Sequence, residues 1–266
     1  MVSQNNSWEN EQVETLAENW EQLAPGIQRF RLPGNEPVRR IITGRRAGKV
    51  GAFWSWKNRA HVAHESSGEE HCARVLEVHP DVTAYFGQPE QIRFQVEGER
   101  RPVRYTPDFL IRFGSRELRV EYKFYDDIRP PRPDSDHDEA GWYRFAKAEK
   151  TRRRLALVAM AYRDCGIDWQ LFTERDLDAL ASRATVDEIV ANAGRPLEPA
   201  DLARLVSFLA AAPGHTASMA DCCMQLEASE FPRGDVLARM PERLVSIDLH
   251  ETIGDDTPVT LLEAAR

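Results

Sequence analysis

The stretch RYTPDFLIRFGSRELRVEYKF, residues 104–124, sets two runs of strand-forming residues on either side of a Gly-Ser pair. It also puts an acidic residue, Asp108, into the first run and places Glu121 and Lys123 on either side of a tyrosine in the second. Charged side chains are rarely buried unless they are paired or bind a metal ion. These three residues therefore point either to a solvated surface or to a functional site.

Strand periodicity predicts that Glu121 and Lys123 share one face of the second strand, whereas Tyr122 points away from them. If the two strands pair as a hairpin, Asp108 approaches both residues. Two carboxylates at such a place suit Mg²⁺ or Mn²⁺, and a neighbouring lysine can orient a water molecule for attack on a phosphodiester. The alternative is a surface hairpin whose ion pairs contribute little energy. The three residues taken alone favour this alternative.

The length and composition of the chain limit the classes of protein to which it can belong. The chain has 266 residues, enough for one large domain or two, and its 42% hydrophobic and 29% charged residues are typical of a soluble globular protein. No apolar run approaches the ~18 residues of a membrane span, and the four cysteines are scattered without a CxxC pair. We therefore expect an intracellular protein.

The charge is distributed unevenly along the chain. Residues 179–266 carry seven basic and fourteen acidic residues, whereas residues 1–178 are close to balanced, so the last third holds almost all of the net charge of −8. This difference predicts a domain boundary near residue 178 and different binding partners for the two parts.

The order of predicted elements indicates an α/β core with a mixed sheet. We expect a helix that begins at Ser66 or Ser67 and ends before Pro80, where the acidic first turn suits the helix dipole. The other expected helices lie around residues 11–23, 142–165 and 174–181, and the expected strands around residues 38–43, 50–54, 92–96, 103–113, 118–124 and 168–173. From residue 197 onward, three helices followed by two strands have the outline of a winged-helix domain.

Several motifs around these elements occur together in one order. They are GAFWSWKNRAHVAHESSGEE at 51–70, GQPEQIRFQVEGERRPVRYTPDFLI at 87–111, ELRVEYKF at 117–124 and YRDCGIDWQLFTERDL at 162–177. Over about residues 48–177 the sequence resembles the TnsA-like endonucleases, which are subunits of heteromeric cut-and-paste transposases and carry the PD-(D/E)xK signature. This ordered set is much more specific than the signature alone.

The resemblance implies a fold, a domain plan and a site. It implies an N-terminal arm and lead-in at 1–47, a restriction-endonuclease-like mixed sheet flanked by helices at 48–178, and a winged-helix-like α+β domain at 179–266. The implied catalytic residues are Glu69, Asp108, Glu121 and Lys123, of which the three carboxylates would bind Mg²⁺, with Mn²⁺ able to substitute. Glu65 is the second choice for the helix ligand, because a spacing of four residues puts it on the same helix face as Glu69.

Further residues are candidates for DNA contact. Gln88 matches a Gln-Pro element of the family. Ser55 and Lys57 precede the helix of Glu69, and the basic run at 147–154 offers Lys147, Lys150 and Arg153 for phosphate contacts. An ordinary polar loop and a solvated helix face explain these last two groups equally well.

The resemblance also implies function and partners. The implied activity is Mg²⁺-dependent cleavage of the strand at the 5′ side of double-stranded transposon ends, alongside a transposase subunit of the DDE type. The acidic C-terminal domain would dock an AAA+ ATPase regulator rather than DNA, because few basic residues are there to neutralise phosphates. Two alternatives remain open: a stand-alone nuclease of the same fold for restriction or repair, and a catalytically inactive assembly module of a transposition complex.

Overall fold

The structure is a computed structural model that describes residues 20–39 and 50–262. The strands are β1 Glu21–Ala24, β2 Ile27–Arg31, β3 Gly51–Ser55, β4 Ala60–His64, β5 Ala84–Gly87, β6 Glu90–Phe94, β7 Val103–Tyr105, β8 Phe109–Phe113, β9 Arg116–Tyr122, β10 Trp169–Phe172, β11 Thr216–Ser218, β12 Val245–Ser246 and β13 Pro258–Leu261. The helices are α1 Ser67–Val78, α2 Tyr125–Ile128, α3 Glu139–Asp164, α4 Glu174–Asp178, α5 Arg183–Asn192, α6 Pro199–Ala211, α7 Met219–Cys223 and α8 Pro232–Leu237.

The opening stretch forms the centre of a mixed four-stranded sheet with the order β10-β9-β8-β5. Strands β8 and β9 form the expected antiparallel hairpin, with Phe109 opposite Val120 and Phe113 opposite Arg116. Gly114 takes the left-handed φ of 61° that the connecting turn requires. Strand β10 adds to β9 in parallel, so the sheet is mixed as expected.

A second four-stranded sheet, entirely antiparallel, has the order β1-β2-β6-β7. The sequence predicted one strand over 103–113, but the chain divides it into β7 and β8, which belong to different sheets. Pro107 lies in the break, where a residue with a fixed φ and no N–H cannot continue a strand ladder. The face of the second sheet packs on α3 through a cluster that includes Ile92, Tyr105 and Tyr162.

Two expectations near the N-terminus need correction. The helix expected over 11–23 lies mostly outside the described residues, and its last part forms β1, a strand paired with β2. The strand expected over 38–43 is also mostly outside them, and Val38 and Arg39 do not lie in a strand. Strands β1 and β2 lie within the N-terminal arm predicted for residues 1–47. Because β2 pairs with β6, this part of the predicted arm belongs to a sheet.

Helix α1 follows the prediction closely. The Ser66 side chain accepts a hydrogen bond from the Glu69 amide as its N-cap, and the helix ends at Val78 before Pro80. In the first turn, a Cβ at Gly68 would lie 2.0 Å from the ring of Tyr122. Only glycine therefore lets this turn rest on β9.

The long helix α3 agrees with prediction within a few residues. Asp138 accepts the amide of Gly141 at its N-terminus, and Gly166 has the positive φ that commonly ends helices. Among the described residues, no helix is long and apolar enough to span a membrane.

Beyond residue 178, the three expected helices are α6, α7 and α8, and the two expected strands, β12 and β13, pair with each other. Strand β11 pairs with the other edge of β13, which gives an antiparallel sheet of order β11-β13-β12. Helix α5 was not predicted from the sequence, and it packs against α1. One buried cluster runs from α1 and β9 through α5 and α6 into the C-terminal sheet. The winged-helix assignment and the boundaries at 47 and 178 stay predictions.

Candidate active site

The end of the β8–β9 hairpin opens into a cavity of about 510 Å³. Asp108 immediately precedes β8, Glu121 lies near the end of β9 and Lys123 follows that strand. Because Phe109 pairs with Val120, these side chains meet at the same end of the hairpin and line the cavity. Tyr122 is buried in the core beneath them, as the strand alternation predicts.

Glu121 and Lys123 are in direct contact. The Lys123 ammonium lies 2.5 Å from Glu121 Oε1 and donates to the carbonyl of Tyr122 at 2.8 Å. Glu121 Oε2 accepts a hydrogen bond from the Tyr105 hydroxyl at 2.6 Å. Burial alone would lower the pKa of Lys123, but the charges of Asp108 and Glu121 raise it above its ordinary value. The lysine is thus a fixed cation between two carboxylates.

Asp108 is buried close to two other carboxylates. Its Oδ2 accepts the Tyr122 amide at 2.8 Å and lies 3.7 Å from the Lys123 ammonium. Burial, followed by the charge of Glu121, raises the pKa of Asp108 well above its usual range, with a further contribution from Glu69. A cation at this place would lower the cost of keeping the carboxylates ionised.

Glu69 lines the same cavity from the first turn of α1. Its Oε2 accepts the Glu65 amide at 2.7 Å and its Oε1 accepts the Ser66 hydroxyl at 3.2 Å, so it also stabilises the helix N-terminus. Burial raises its pKa. Glu65 precedes the N-cap Ser66, so the expectation that Glu65 and Glu69 share a helix face is wrong. Glu65 instead reaches the cavity wall from the loop.

Gln88 connects this loop to the hairpin. Its amide N–H donates to the Asp108 carbonyl at 2.9 Å, and its side chain donates to Glu65 at 3.3 Å. Arg39 donates to Gln88 Oε1 at 2.8 Å and pairs with Glu65 at 3.1 Å. Gln88 has a positive φ of 48°, which is uncommon for a residue other than glycine. The predicted DNA-contact residue is therefore fixed beside the acidic cluster and bonded to protein groups.

The basic run of α3 divides between two faces. Lys147, Lys150 and Arg154 line the cavity at helical spacing, and Arg154 also donates to the carbonyl of Arg104, another lining residue. Arg153 is exposed and pairs with Glu149, one turn back on the same helix. Of the three α3 residues predicted to contact DNA, Lys147 and Lys150 line the cavity and Arg153 does not. Its neighbour Arg154 lines the cavity instead.

Ser55 and Lys57 lie at the other end of α1. Ser55 is fully buried and donates to Glu77 at 2.7 Å. The Lys57 ammonium donates to the carbonyls of Leu76 and His79, which end the helix, and burial lowers its pKa to about 7. Their contacts are those of residues that hold α1 to the β3–β4 hairpin, and their predicted role in DNA contact has no support in this placement.

The donor set suits a hard divalent cation. Asp108 and Glu121 supply carboxylate oxygens, and Mg²⁺ commonly takes one or two carboxylates together with water and substrate oxygens. Within residues 20–39 and 50–262, no group of three or more His, Cys, Asp and Glu side chains is arranged to share a metal ion. Asp108 and Glu121 both line the cavity, whereas the Glu69 carboxylate is engaged with the N-terminus of α1.

Sequence reasoning did not name several residues that line the cavity, among them Arg39, Arg104, Tyr105 and Arg154. Arg104 and Arg154 belong to basic clusters that can be recognised in the sequence. Whether their side chains face the cavity depends on which face α3 turns toward it and on how β7 packs against α3. Tyr105 precedes the Thr-Pro-Asp segment and looks like a core strand residue. The sequence holds no signal for its hydroxyl contact with Glu121.

A hairpin that joins two acids and a lysine at a basic cavity is the arrangement expected of a phosphodiester-cleaving enzyme of the PD-(D/E)xK class. Residues 79–174 match the family model described as TnsA-like endonuclease N terminal. This match confirms the resemblance to a TnsA-like nuclease related to transposition. It contains Asp108, Glu121 and Lys123, and it begins after Glu69. No curated protein matches the chain significantly.

Proposed function

We propose that this protein is a metal-dependent DNA endonuclease that works as a subunit of a heteromeric cut-and-paste transposase. Its reaction is hydrolysis of the strand at the 5′ side of transposon ends. The observation that carries the proposal is the meeting of Asp108, Glu121 and Lys123 in one cavity, opposite basic side chains of α3. The family match to residues 79–174 supports a nuclease of this kind.

In this proposal Asp108 and Glu121 bind Mg²⁺, or Mn²⁺ in its place, with help from Glu69. The bound ion supplies Lewis-acid stabilisation of charge on the phosphoryl oxygens. Lys123, held between the two carboxylates, orients the attacking water through its ammonium N–H groups. The water oxygen forms a bond to phosphorus and gives up a proton to solvent as the bond from phosphorus to the 3′ oxygen breaks, and the 3′ oxygen takes a proton from solvent. The products are a 5′-phosphate and a 3′-hydroxyl.

The basic wall positions the substrate. Lys147, Lys150 and Arg154 follow one face of α3, and Arg104 extends that face from β7. Lysine and arginine contacts to phosphates supply most of the affinity for DNA but read no sequence. We therefore propose that a phosphate backbone lies along this wall and that partner proteins select the site.

The C-terminal region has the opposite charge balance. Residues 179–266 hold twice as many acidic as basic residues, which disfavours close approach to DNA. In the proposal this winged-helix-like region docks an AAA+ ATPase regulator, while the DDE transposase subunit cuts and joins the other strand.

The test is cleavage of DNA that carries element ends, with Mg²⁺ or Mn²⁺, with and without the partner transposase. Asp108→Ala and Lys123→Ala are expected to remove cleavage, while Asp168→Ala, a change at an exposed acid paired with Arg116, keeps it. Cleavage that survives both active-site substitutions would refute the site. Efficient cleavage without the partner would indicate a stand-alone nuclease, and DNA or partner binding without cleavage would indicate an assembly module.

A further inference from the structure

Tyr105 makes a contact that connects the site to the second sheet. It ends β7, and its buried hydroxyl donates to Glu121 Oε2 at 2.6 Å. The same hydroxyl accepts a hydrogen bond from the indole Nε1 of Trp169 at 3.0 Å. The other oxygen of Glu121 lies against the Lys123 ammonium. Each oxygen of this carboxylate therefore has a separate and fixed partner.

The position of the hydroxyl is set by packing as well as by hydrogen bonds. The Tyr105 ring makes edge contacts with Trp169 and Tyr162, with ring centroids 6.5 and 6.2 Å apart. Tyr105 comes from the sheet of β6 and β7, whereas Glu121 and Trp169 come from β9 and β10 of the other sheet. The chain Trp169–Tyr105–Glu121 thus joins the two sheets at the edge of the cavity.

We propose that Tyr105 is a positioning residue, whose hydroxyl, oriented by Trp169, holds the Glu121 carboxylate in the orientation that binds the divalent cation. The inference rests on the proposed function, since it assumes that Glu121 is a metal ligand. Partners behind a ligating side chain fix its orientation, and their loss typically costs about 10- to 100-fold in metal affinity or activity. Without the hydroxyl, Glu121 Oε2 loses its neutral donor and only Lys123 restrains the group.

A matched control lies in the same core cluster. Tyr162 is also buried, packs against the Tyr105 ring and donates its hydroxyl to a buried glutamate, Glu90, at 3.0 Å. Glu90 pairs with Arg31 and Arg119 away from the cavity. Tyr105→Phe and Tyr162→Phe therefore remove the same atom from the same environment, but only the first contacts a proposed ligand.

The experiment measures Mn²⁺ affinity by titration calorimetry, and the kcat and KM for cleavage, on the full chain. Tyr105→Phe is expected to weaken Mn²⁺ binding by about 10- to 100-fold and to lower kcat while the KM for DNA stays unchanged. Tyr162→Phe is expected to keep the wild-type Mn²⁺ affinity. Trp169→Phe, which removes the donor to the tyrosine and part of the ring that packs against it but keeps the Tyr105 hydroxyl, is expected to give an effect in the same direction but smaller.

Wild-type Mn²⁺ affinity in both Tyr105→Phe and Trp169→Phe would overturn the positioning role. An equal loss in Tyr162→Phe would overturn it too, since that result indicates general damage to the core. In either case the proposed function stands, provided that the wild type binds Mn²⁺ and cleaves DNA. A wild type that does neither refutes the proposed function, and this inference with it.

Discussion

Asp108 lies buried beside two other carboxylates, and burial followed by the charge of Glu121 raises its pKa well above the ordinary value. Its one nearby cation, among the residues described, is Lys123, at 3.7 Å. A nuclease site needs this concentration of negative charge, because the same oxygens bind a divalent cation. The charge that serves the proposed reaction therefore costs folding free energy when no cation is bound.

The raised pKa of Asp108 predicts how the substitution Asp108→Asn changes folding stability with pH. Because the folded pKa lies above the unfolded value of about 3.9, the wild type loses stability as pH rises from there through the folded pKa. Without divalent cations at pH 7–8, Asp108→Asn should therefore unfold at a higher temperature, by roughly 2–4 °C for a gain of about 1 kcal/mol. The difference should disappear near pH 4.

Thermal unfolding with and without Mg²⁺ checks this prediction. Mg²⁺ should raise the melting temperature of the wild type, because it binds the folded state, and should have little effect on Asp108→Asn. If Asp108→Asn is less stable than the wild type at pH 7–8 in the presence of a chelator, the ionised Asp108 carboxylate does not destabilise the folded state.

At the scale of elements, the site depends on three contacts: the β8–β9 hairpin, the first turn of α1 and one face of α3. The hairpin brings Asp108 to Glu121, and α1 adds Glu69 because Gly68 lets its first turn lie on the Tyr122 ring. Helix α3 contributes cations only along the face that meets β7. The contacts of α1 and α3 can thus be tested by substitutions at residues other than the proposed catalytic groups.

Gly68→Ala tests the contact between α1 and β9. The added Cβ meets a rigid ring at 2.0 Å, so we expect a loss of about 1–3 kcal/mol in the free energy of unfolding and slower cleavage as Glu69 moves. Gly254→Ala is the control, since that Cβ would meet open space. Adding Tyr122→Val to Gly68→Ala makes room for the methyl group and should recover part of the cleavage rate. Failure of Gly68→Ala to change either measurement would contradict the close packing.

Arg154→Ala tests the basic wall, with Arg153→Ala as its neighbour on the other face. If Arg154 contacts a phosphate, its loss should weaken DNA binding for all sequences and lower the slope of log K against log salt by about 0.9. Arg153→Ala should change neither, because its side chain pairs with Glu149 outside the cavity. Fluorescence anisotropy at several salt concentrations measures the DNA affinity and the salt dependence of both variants. A larger effect of Arg153→Ala would favour the residue predicted from sequence.

At the scale of the whole molecule, charge and packing divide the chain differently. The acidic residues concentrate after residue 178, yet the buried cluster continues across that point, joining Leu76 of α1 with Ile189 of α5 and Leu205 of α6. The predicted boundary near residue 178 therefore separates parts of different charge but not separate hydrophobic cores. Packing therefore makes the C-terminal region a support for α1 and, through it, for the site.

A chain shortened to residues 1–178 tests this dependence. Its core residues on α1 would be exposed to water, so we expect loss of cooperative unfolding and of DNA cleavage. The full chain is expected to unfold in a single transition by calorimetry and circular dichroism. Two separate transitions, or a stable shortened chain, would show that the boundary near 178 divides independent domains.

The sequence by itself determined the hairpin, helix α1 with its Ser66 cap, the long helix α3 and the residues Asp108, Glu121 and Lys123. These follow from local rules: alternation in strands, capping chemistry and the spacing of a family motif. The sequence also suggested Arg153 and a helix near the N-terminus, where local pattern is ambiguous between faces and between helix and strand.

Only the tertiary structure decided which cations face the cavity, that Lys57 ends a helix, that β1 and β2 join a second sheet, and that Tyr105 holds Glu121. The physical reason is that these features depend on contacts between residues far apart in the chain. Tyr105 and Trp169 are 64 residues apart, and no local periodicity specifies where two sheets meet. Local sequence patterns identify the residue types of this site, whereas long-range packing determines which side chains face the cavity.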